Sequence, residues 1–214
     1  MMAAVDTGVL VDWITRYREA VTAQRDWLTE LDSAIGDADH GANMARGFAA
    51  VGEKLAAGAP GTIDELLKTV GMTLVSSVGG ASGPLYGTFF LRMGMNAGAV
   101  AELDGPALAA ALRAGLEGIV ARGKPEAGDK TMYDAMAPAV DAFDAALAAG
   151  SALPDAARAA ADAAAAGRDA TLPLVARKGR ASYLGERSAG HLDPGAASTA
   201  ILFETLAAAV ADSA

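Results

Sequence analysis

The sequence predicts a single all-α domain, an up-and-down bundle or barrel of eight antiparallel helices, and three observations carry that expectation. About a quarter of the 214 residues are alanine, which loses no side-chain entropy in a helix, while Val, Ile, Thr and aromatic residues, which pack better on a pleated sheet, are sparse. Apolar residues recur at steps of three and four along most of the chain. Gly- and Pro-rich clusters cut these stretches into segments of similar length, and short connections make consecutive helices antiparallel neighbours.

The first helix is expected over residues 7–31, where Leu10, Trp13, Ile14, Tyr17, Val21, Leu28 and Leu31 form one stripe. The breaker-rich stretch Ile35-Gly36-Asp37-Ala38-Asp39-His40-Gly41 interrupts it, and a second helix follows over 43–57, closed by Gly58-Ala59-Pro60-Gly61. Thr62 caps a third, with Asp64 and Glu65 in its first turn and Leu66, Leu67, Val70, Leu74 and Val75 facing inward. After Gly79-Gly80-Ala81-Ser82-Gly83-Pro84 a fourth helix runs to about Gly98. It is apolar nearly all round (Leu85, Tyr86, Phe89, Phe90, Leu91, Met93, Met95), which predicts a central position.

Asp104-Gly105-Pro106 opens a fifth helix with Leu108, Leu112, Leu116, Ile119 and Val120 as its stripe. The polar loop 122–130 precedes a sixth carrying Met132, Met136, Val140, Phe143 and Leu147, with a kink expected at Pro138. A seventh starts near Leu153-Pro154 and is bent or ended by Pro173. The segment 177–191 is polar and loop-like, and Asp193-Pro194 supplies the N-cap and first-position proline of a last helix with Ile201, Leu202, Leu206 and Val210.

Composition narrows the function. Apolar residues make up 52% and charged residues 20%, a globular balance, and no apolar run approaches the ~20 residues of a membrane span. The 17 Lys and Arg against 26 Asp and Glu leave a net charge of −9, which repels a phosphate backbone, so neither nucleic acid nor membrane is an expected partner. The chain has no cysteine, which removes disulfides, thiolate nucleophiles and Cys-ligated zinc, and no signal-like N-terminal segment, so a cytoplasmic location is expected.

Alternation of helix direction puts the loops after helices one, three, five and seven on one rim: 35–41, 79–83, 122–130 and 177–193. Three carboxylates crowd the first, Asp32, Asp37 and Asp39, beside His40 and Asn43. Oxygen ligands without cysteine suit a hard cation, and Mg2+ held this way keeps positions for phosphate oxygens; solvated helix-end aspartates are the alternative. The Gly-rich run ending in Ser82 precedes a helix, so free N–H groups, the helix dipole and a hydroxyl converge on an anion. It lacks both the Gly-Lys-Ser/Thr ending of a P-loop and the strand context of a dinucleotide fold. The other two loops bring Arg122, Lys124, Lys130, Arg177, Lys178, Arg180 and Arg187. Carboxylates, an anion cradle and cations together fit phosphoryl transfer, which works by positioning and charge neutralisation. His40 and His191, the only histidines, are expected to hydrogen-bond or stack rather than to carry phosphate.

Five stretches in order carry a resemblance: Leu31-Asp32 with 35–44; Gly71-Met72-Thr73-Leu74 through 76–84; Gly128-Asp129-Lys130-Thr131-Met132; 177–188; and His191 with Asp193-Pro194-Gly195. Together they resemble the nucleotide-binding L subunits of dihydroxyacetone kinases over essentially the whole chain. The resemblance implies an eight-helix barrel with nucleotide at one rim and two Mg2+ ions on Asp32, Asp37 and Asp39. It places nucleotide contacts at His40, Gly41, Ala42, Asn43, Ala81, Ser82, Gly123, Met132, Arg180, Asp193, Pro194 and Gly195, with Arg180 stabilising the transferring group. Dihydroxyacetone is implied to sit on a separate K subunit. Two branches exist, one using ATP as a substrate and one keeping ADP as a coenzyme that a phosphohistidine protein of the phosphotransferase system, the M subunit, rephosphorylates. An L-type segment standing alone favours the second. A rival reading is a nucleotide-loaded regulatory module that docks on a transcription regulator, and a third keeps the chemistry but uses another short-chain ketose.

Overall fold

The computed structural model describes residues 4–58 and 60–213; Ala59, placed by the sequence in the second closing turn, lies outside the described residues. Among these residues nine α-helices form a closed ring. They are α1 (Thr7–Ala23), α2 (Arg25–Ile35), α3 (His40–Ala56), α4 (Ile63–Ser77), α5 (Ser82–Ala97), α6 (Gly105–Gly123), α7 (Tyr133–Ala148), α8 (Leu153–Ala170) and α9 (Pro194–Asp212). Each packs on its chain neighbours from α3 through α9, and α9 returns to α1. α1 and α2 both pack on α3 and α9, so they share one stave and the ring has eight positions. The expected first helix is thus broken at Gln24 (φ −98°, ψ 13°) and continues to Ile35. A two-residue antiparallel ladder that the helical pattern does not announce, β1 (Val5–Asp6) with β2 (Glu102–Leu103), ties the start of the chain to the α5–α6 connection.

Aromatic side chains fill the interior. Trp13 lies 5.6 Å from Phe90 and Tyr17 meets Phe48 edge-on at 4.6 Å, all four fully buried; each such burial contributes on the order of 2 kcal/mol. The polar ends of two of them close the ring: Trp13 Nε1 donates to the Leu202 carbonyl at 2.9 Å and the Tyr17 hydroxyl to that of Ser198 at 3.1 Å, both on α9. α9 is long and apolar enough to cross a membrane by composition, but most of it is buried among its neighbours, as in a core helix.

Caps and breakers mostly act as their residue types dictate. Asp104 and Asp193 accept from Ala107 N (2.8 Å) and Ala196 N (2.7 Å). Thr62 occupies the N-cap of α4, yet its hydroxyl makes no capping bond. α7 continues as one helix through Pro138. The proline leaves the Asp134 carbonyl without its helical partner, and α8 approaches that carbonyl so closely that a Cβ at Gly167 would stand 2.2 Å from it. α8 ends at Ala170, ahead of Pro173.

Three apolar residues expected inside are exposed: Val75, Met95 and Val120. The inward stripe of α4 is Ile63, Leu66, Leu67, Val70 and Leu74, and Val75 turns onto the α4–α5 seam, where a Cβ at Gly87 would lie 2.4 Å from it. α5 is a stave like the others and not a central helix; α9 is buried over more of its length than any other. Residues Arg180–Ser188, expected as loop, form 3-10 turns whose Ala181 packs with Ile35 and Ala176 in a small separate core.

Candidate functional site

The four rim loops converge on a cavity of about 350 Å3. Of the residues singled out from sequence, Asp32, Asp37, Asp39, His40, Ala81, Ser82, Gly123, Met132, Arg180, Asp193, Pro194 and Gly195 line it, together with Lys130 and Lys178. Gly41, Ala42 and Asn43 do not. Gly41 sits where α3 crosses α2, with a would-be Cβ 2.0 Å from the Arg25 carbonyl, and Asn43 accepts from Arg46 Nη2 at 2.6 Å behind the Gly79 turn. The apolar lining of Ile35, Leu85, Ile119 and Pro125 has no local signature in the sequence, because those side chains belong to ordinary helical stripes.

Asp32, Asp37 and Asp39 each offer an oxygen within 4.8 Å of the others. Asp32 is buried on the last turn of α2, and its Oδ2 accepts from the backbone N–H groups of Asp39 (2.8 Å) and His40 (3.1 Å), capping α3 from across the loop. Its Oδ1 is left for another partner. Only glycine fits beside it: a Cβ at Gly36 would be 2.0 Å from Asp32 Oδ1. Between the other two carboxylates Ala38 takes a positive φ of 61°, which costs an L-residue about 1 kcal/mol or more. The non-glycine residues with positive φ among those described are Ala38, Lys124 and Lys130, all in rim loops, so backbone strain is concentrated where the cavity is.

α5 begins at Ser82, at the edge of the cavity, with Ala81 as N-cap and no side-chain capping bond, so no side chain satisfies its first N–H groups. Ser82 Oγ lies 3.2 Å from His40 Nδ1, and His40 Nε2 lies 2.9 Å from Ser198 Oγ on α9. Burial lowers the His40 pKa to about 4 despite the nearby Asp32 and Asp39. The ring is therefore neutral, which suits a hydrogen-bonding role. His191 contributes its carbonyl rather than its exposed side chain.

The cations divide. Arg180, 67% exposed, reaches Asp37 at 3.1 Å. Arg177 is held by Asp129 (3.1 Å), and the Lys178 ammonium by the Gly123 and Lys124 carbonyls. Lys130 is only 1% exposed, and its Nζ donates to the carbonyls of Thr171 (2.7 Å) and His191 (2.5 Å). Burial lowers its pKa, offset in part by Asp193. The same burial raises Asp193 to about 7, with Lys130 and the Ala196 N–H acting the other way. Ser198, Thr171 and the buried station of Lys130 have no mark in the sequence, since their partners are 22 to 158 residues away.

The chain is similar to known proteins. The DAK2 domain model covers residues 34–208. The chain is 47% identical over 200 residues to the ADP-binding subunit DhaL of the PEP-dependent dihydroxyacetone kinase of Escherichia coli K12, covering 94% of this chain and 95% of that one. It is 45% identical over 210 residues to the ADP-binding subunit DhaL of the PTS-dependent dihydroxyacetone kinase of Lactococcus lactis, covering 98% and 100%. The crystal structure of the dihydroxyacetone kinase from C. freundii in complex with AMP-PNP and Mg2+ aligns with a TM-score of 0.72 at 27% identity. That alignment covers 97% of this chain and 35% of the kinase, of which the chain spans about a third. The chain belongs to the DAK2 domain family, together with these DhaL subunits.

Proposed function

We propose that the chain is the nucleotide-holding subunit of a dihydroxyacetone kinase that keeps ADP, with two Mg2+ ions, as a coenzyme at this rim. A phosphohistidine-bearing M subunit rephosphorylates it, and the phosphoryl group passes to dihydroxyacetone on a K subunit, all in the cytoplasm. The observation that carries this is the convergence of three carboxylates within 4.8 Å beside an uncapped helix N-terminus and a guanidinium. The residues fit the metal: all donors are hard oxygens, and Asp32 keeps Oδ1 free while Oδ2 is occupied by the backbone. When bound, Mg2+ neutralises phosphate charge and orients the phosphate oxygens. The names of the relatives, ADP-binding subunits of PEP- or PTS-dependent kinases, support the coenzyme branch.

In this reading the chain's own groups position and neutralise. The first N–H groups of α5 bind phosphate oxygens, with the positive end of the helix dipole behind them. Arg180 stabilises charge on the group in transit, and Asp193, Pro194 and Gly195 hold the nucleotide from the start of α9. His40, neutral and buried, fixes Ser82 rather than carrying phosphate.

The test is to purify the chain in Mg2+, denature it and identify the released nucleotide, then assay turnover with K and M subunits added. Stoichiometric ADP is expected, with turnover abolished in Asp32→Ala, Asp37→Ala and Asp39→Ala. An empty site that binds ATP reversibly would move the chain to the ATP-dependent branch, and Mg2+-dependent nucleotide binding retained in all three variants would refute the site.

A further inference from the structure

Residues 176–188 form a loop that returns to where it started, and one buried hydroxyl closes its neck. Ser188 is fully buried. Its Oγ accepts from the Ala176 N–H at 2.8 Å and donates to the Gly185 carbonyl at 2.6 Å. An amide N–H only donates and a carbonyl only accepts, so its two partners fix both roles of the hydroxyl. The same side chain therefore joins the two ends of the loop and pins its second sharp turn, at Gly185 (φ 56°, ψ −133°). The first such turn is Gly179 (φ 66°, ψ −166°).

The start of the loop is tied to the α6–α7 connection. The Arg177 N–H donates to the Asp129 carbonyl (3.1 Å), and the Lys178 ammonium to those of Gly123 and Lys124. Beyond Ser188 the chain is held again at Gly190, whose N–H meets the Leu172 carbonyl at 2.8 Å. Between these ties the hold is slight. The apolar seat consists of Ala176 and Ala181 buried against Ile35, with Leu184 half-buried beside them, apart from the main core. Ile35 ends α2 and stands two positions before Asp37. A loop seated there brings Arg180 to Asp37 at 3.1 Å and puts Gly179, Arg180 and Ala181 on the cavity wall. The Arg180 side chain is itself mostly exposed, and an exposed ion pair of this kind is too weak to hold a loop closed.

We infer that Ser188 is a positioning residue: its hydroxyl latches the neck of the 176–188 loop and so holds Arg180 at the carboxylate end of the cavity. That Arg180 there serves a phosphoryl group rests on the function proposed above. Ser188 is absent from the cavity lining and acts only through the loop.

The experiment uses the full chain. Amide hydrogen exchange of the protein free of metal and nucleotide reads the latch, since the acceptor of the Ala176 N–H is Ser188 Oγ. Protection of that amide is expected in the wild type. Ser188→Ala should speed exchange at Ala176 and across 180–187 about tenfold, the worth of the lost bonds, while the helices of the ring keep wild-type protection. Turnover with K and M subunits reads the consequence. Ser188→Ala should lower it about tenfold, and in an Arg180→Gln background should cost less than about twofold more. A wild-type Ala176 amide that exchanges as fast as an exposed one overturns the inference whether or not the variant folds. So does faster exchange spread equally through the helices, and so do losses of turnover that multiply. Absence of turnover in the reconstituted wild type would instead remove the kinase reading. Trypsin cleavage after Arg180 then decides the latch: a rate about tenfold faster in Ser188→Ala upholds it, and an unchanged rate overturns it.

Discussion

Replacing Lys130 by methionine keeps most of the aliphatic stem and removes one ammonium. That ammonium holds two main-chain carbonyls, Thr171 at 2.7 Å and His191 at 2.5 Å, and so joins the start of α7 to the end of α8 and to the approach to α9. Each bond involves a charged donor and is worth about 1.5–3 kcal/mol, and two carbonyls lose a partner in a place water reaches poorly. Against this stands the desolvation of the ammonium, the main cause of its lowered pKa, which the variant no longer carries. The balance is a loss of about 2–4 kcal/mol, or roughly 4–16 °C in Tm at about 2–4 °C per kcal/mol for a chain of this size. Urea unfolding of the metal-free chain reads it directly. A Lys130→Met variant within about 0.5 kcal/mol of wild type would show that the buried ammonium supports nothing, and the reasoning would fail.

Three further outcomes are expected. Lys124→Gly should stabilise the chain by about 1 kcal/mol in the same assay, because Lys124 ends α6 in the left-handed region (φ 46°, ψ 47°) and its exposed side chain gives up little. Unchanged or lower stability would contradict it. Asp193 holds its proton to about pH 7 in the folded state but releases it near 3.8 when unfolded. The folded state therefore binds more protons between these values, and stability falls as pH rises through that window, by on the order of 4 kcal/mol. Asp193→Asn, which can still cap α9, should flatten that decline, and parallel pH curves for the two proteins would exclude the burial argument. Gly36→Ala should abolish Mg2+-dependent ADP binding without touching a carboxylate, since its Cβ would occupy the place of Asp32 Oδ1; calorimetry showing intact binding would mean that the loop yields freely.

How much of this was legible depends on whether a feature is local. The rim could be located because helix direction alternates, so Gly and Pro clusters at 36–41, 79–84, 123–128 and 193–195 fall at one end whatever the packing details. The Asp32, Asp37 and Asp39 cluster was legible for the same reason, all three lying on one helix end and its loop. The break at Gln24 was not, because no Gly or Pro stands there and the turn follows from how α2 packs on α3 and α9. Val75, Met95 and Val120 misled because apolar type alone does not distinguish an inward face from a seam between staves. Lys130 looked like a cation for phosphate; that its ammonium instead ends on Thr171 and His191 is a tertiary fact, as is the pairing of His40 with Ser198.

The closed ring also fixes where the chain can be handled. α9 starts at the cavity and runs away from it, and α1 starts at that remote end, so Thr7 and Asp212 both lie opposite the site. The α7–α8 connection, with Gly150 in a positive-φ turn, lies at that end too. Linking the Asp212 end of α9 to the Thr7 end of α1 and opening the chain at 149–152 would therefore reorder the sequence while leaving every cavity-lining segment in one piece. Dyes, tags or a surface tether placed beside Thr7 or Asp212 would report on the molecule without obstructing whatever approaches its rim.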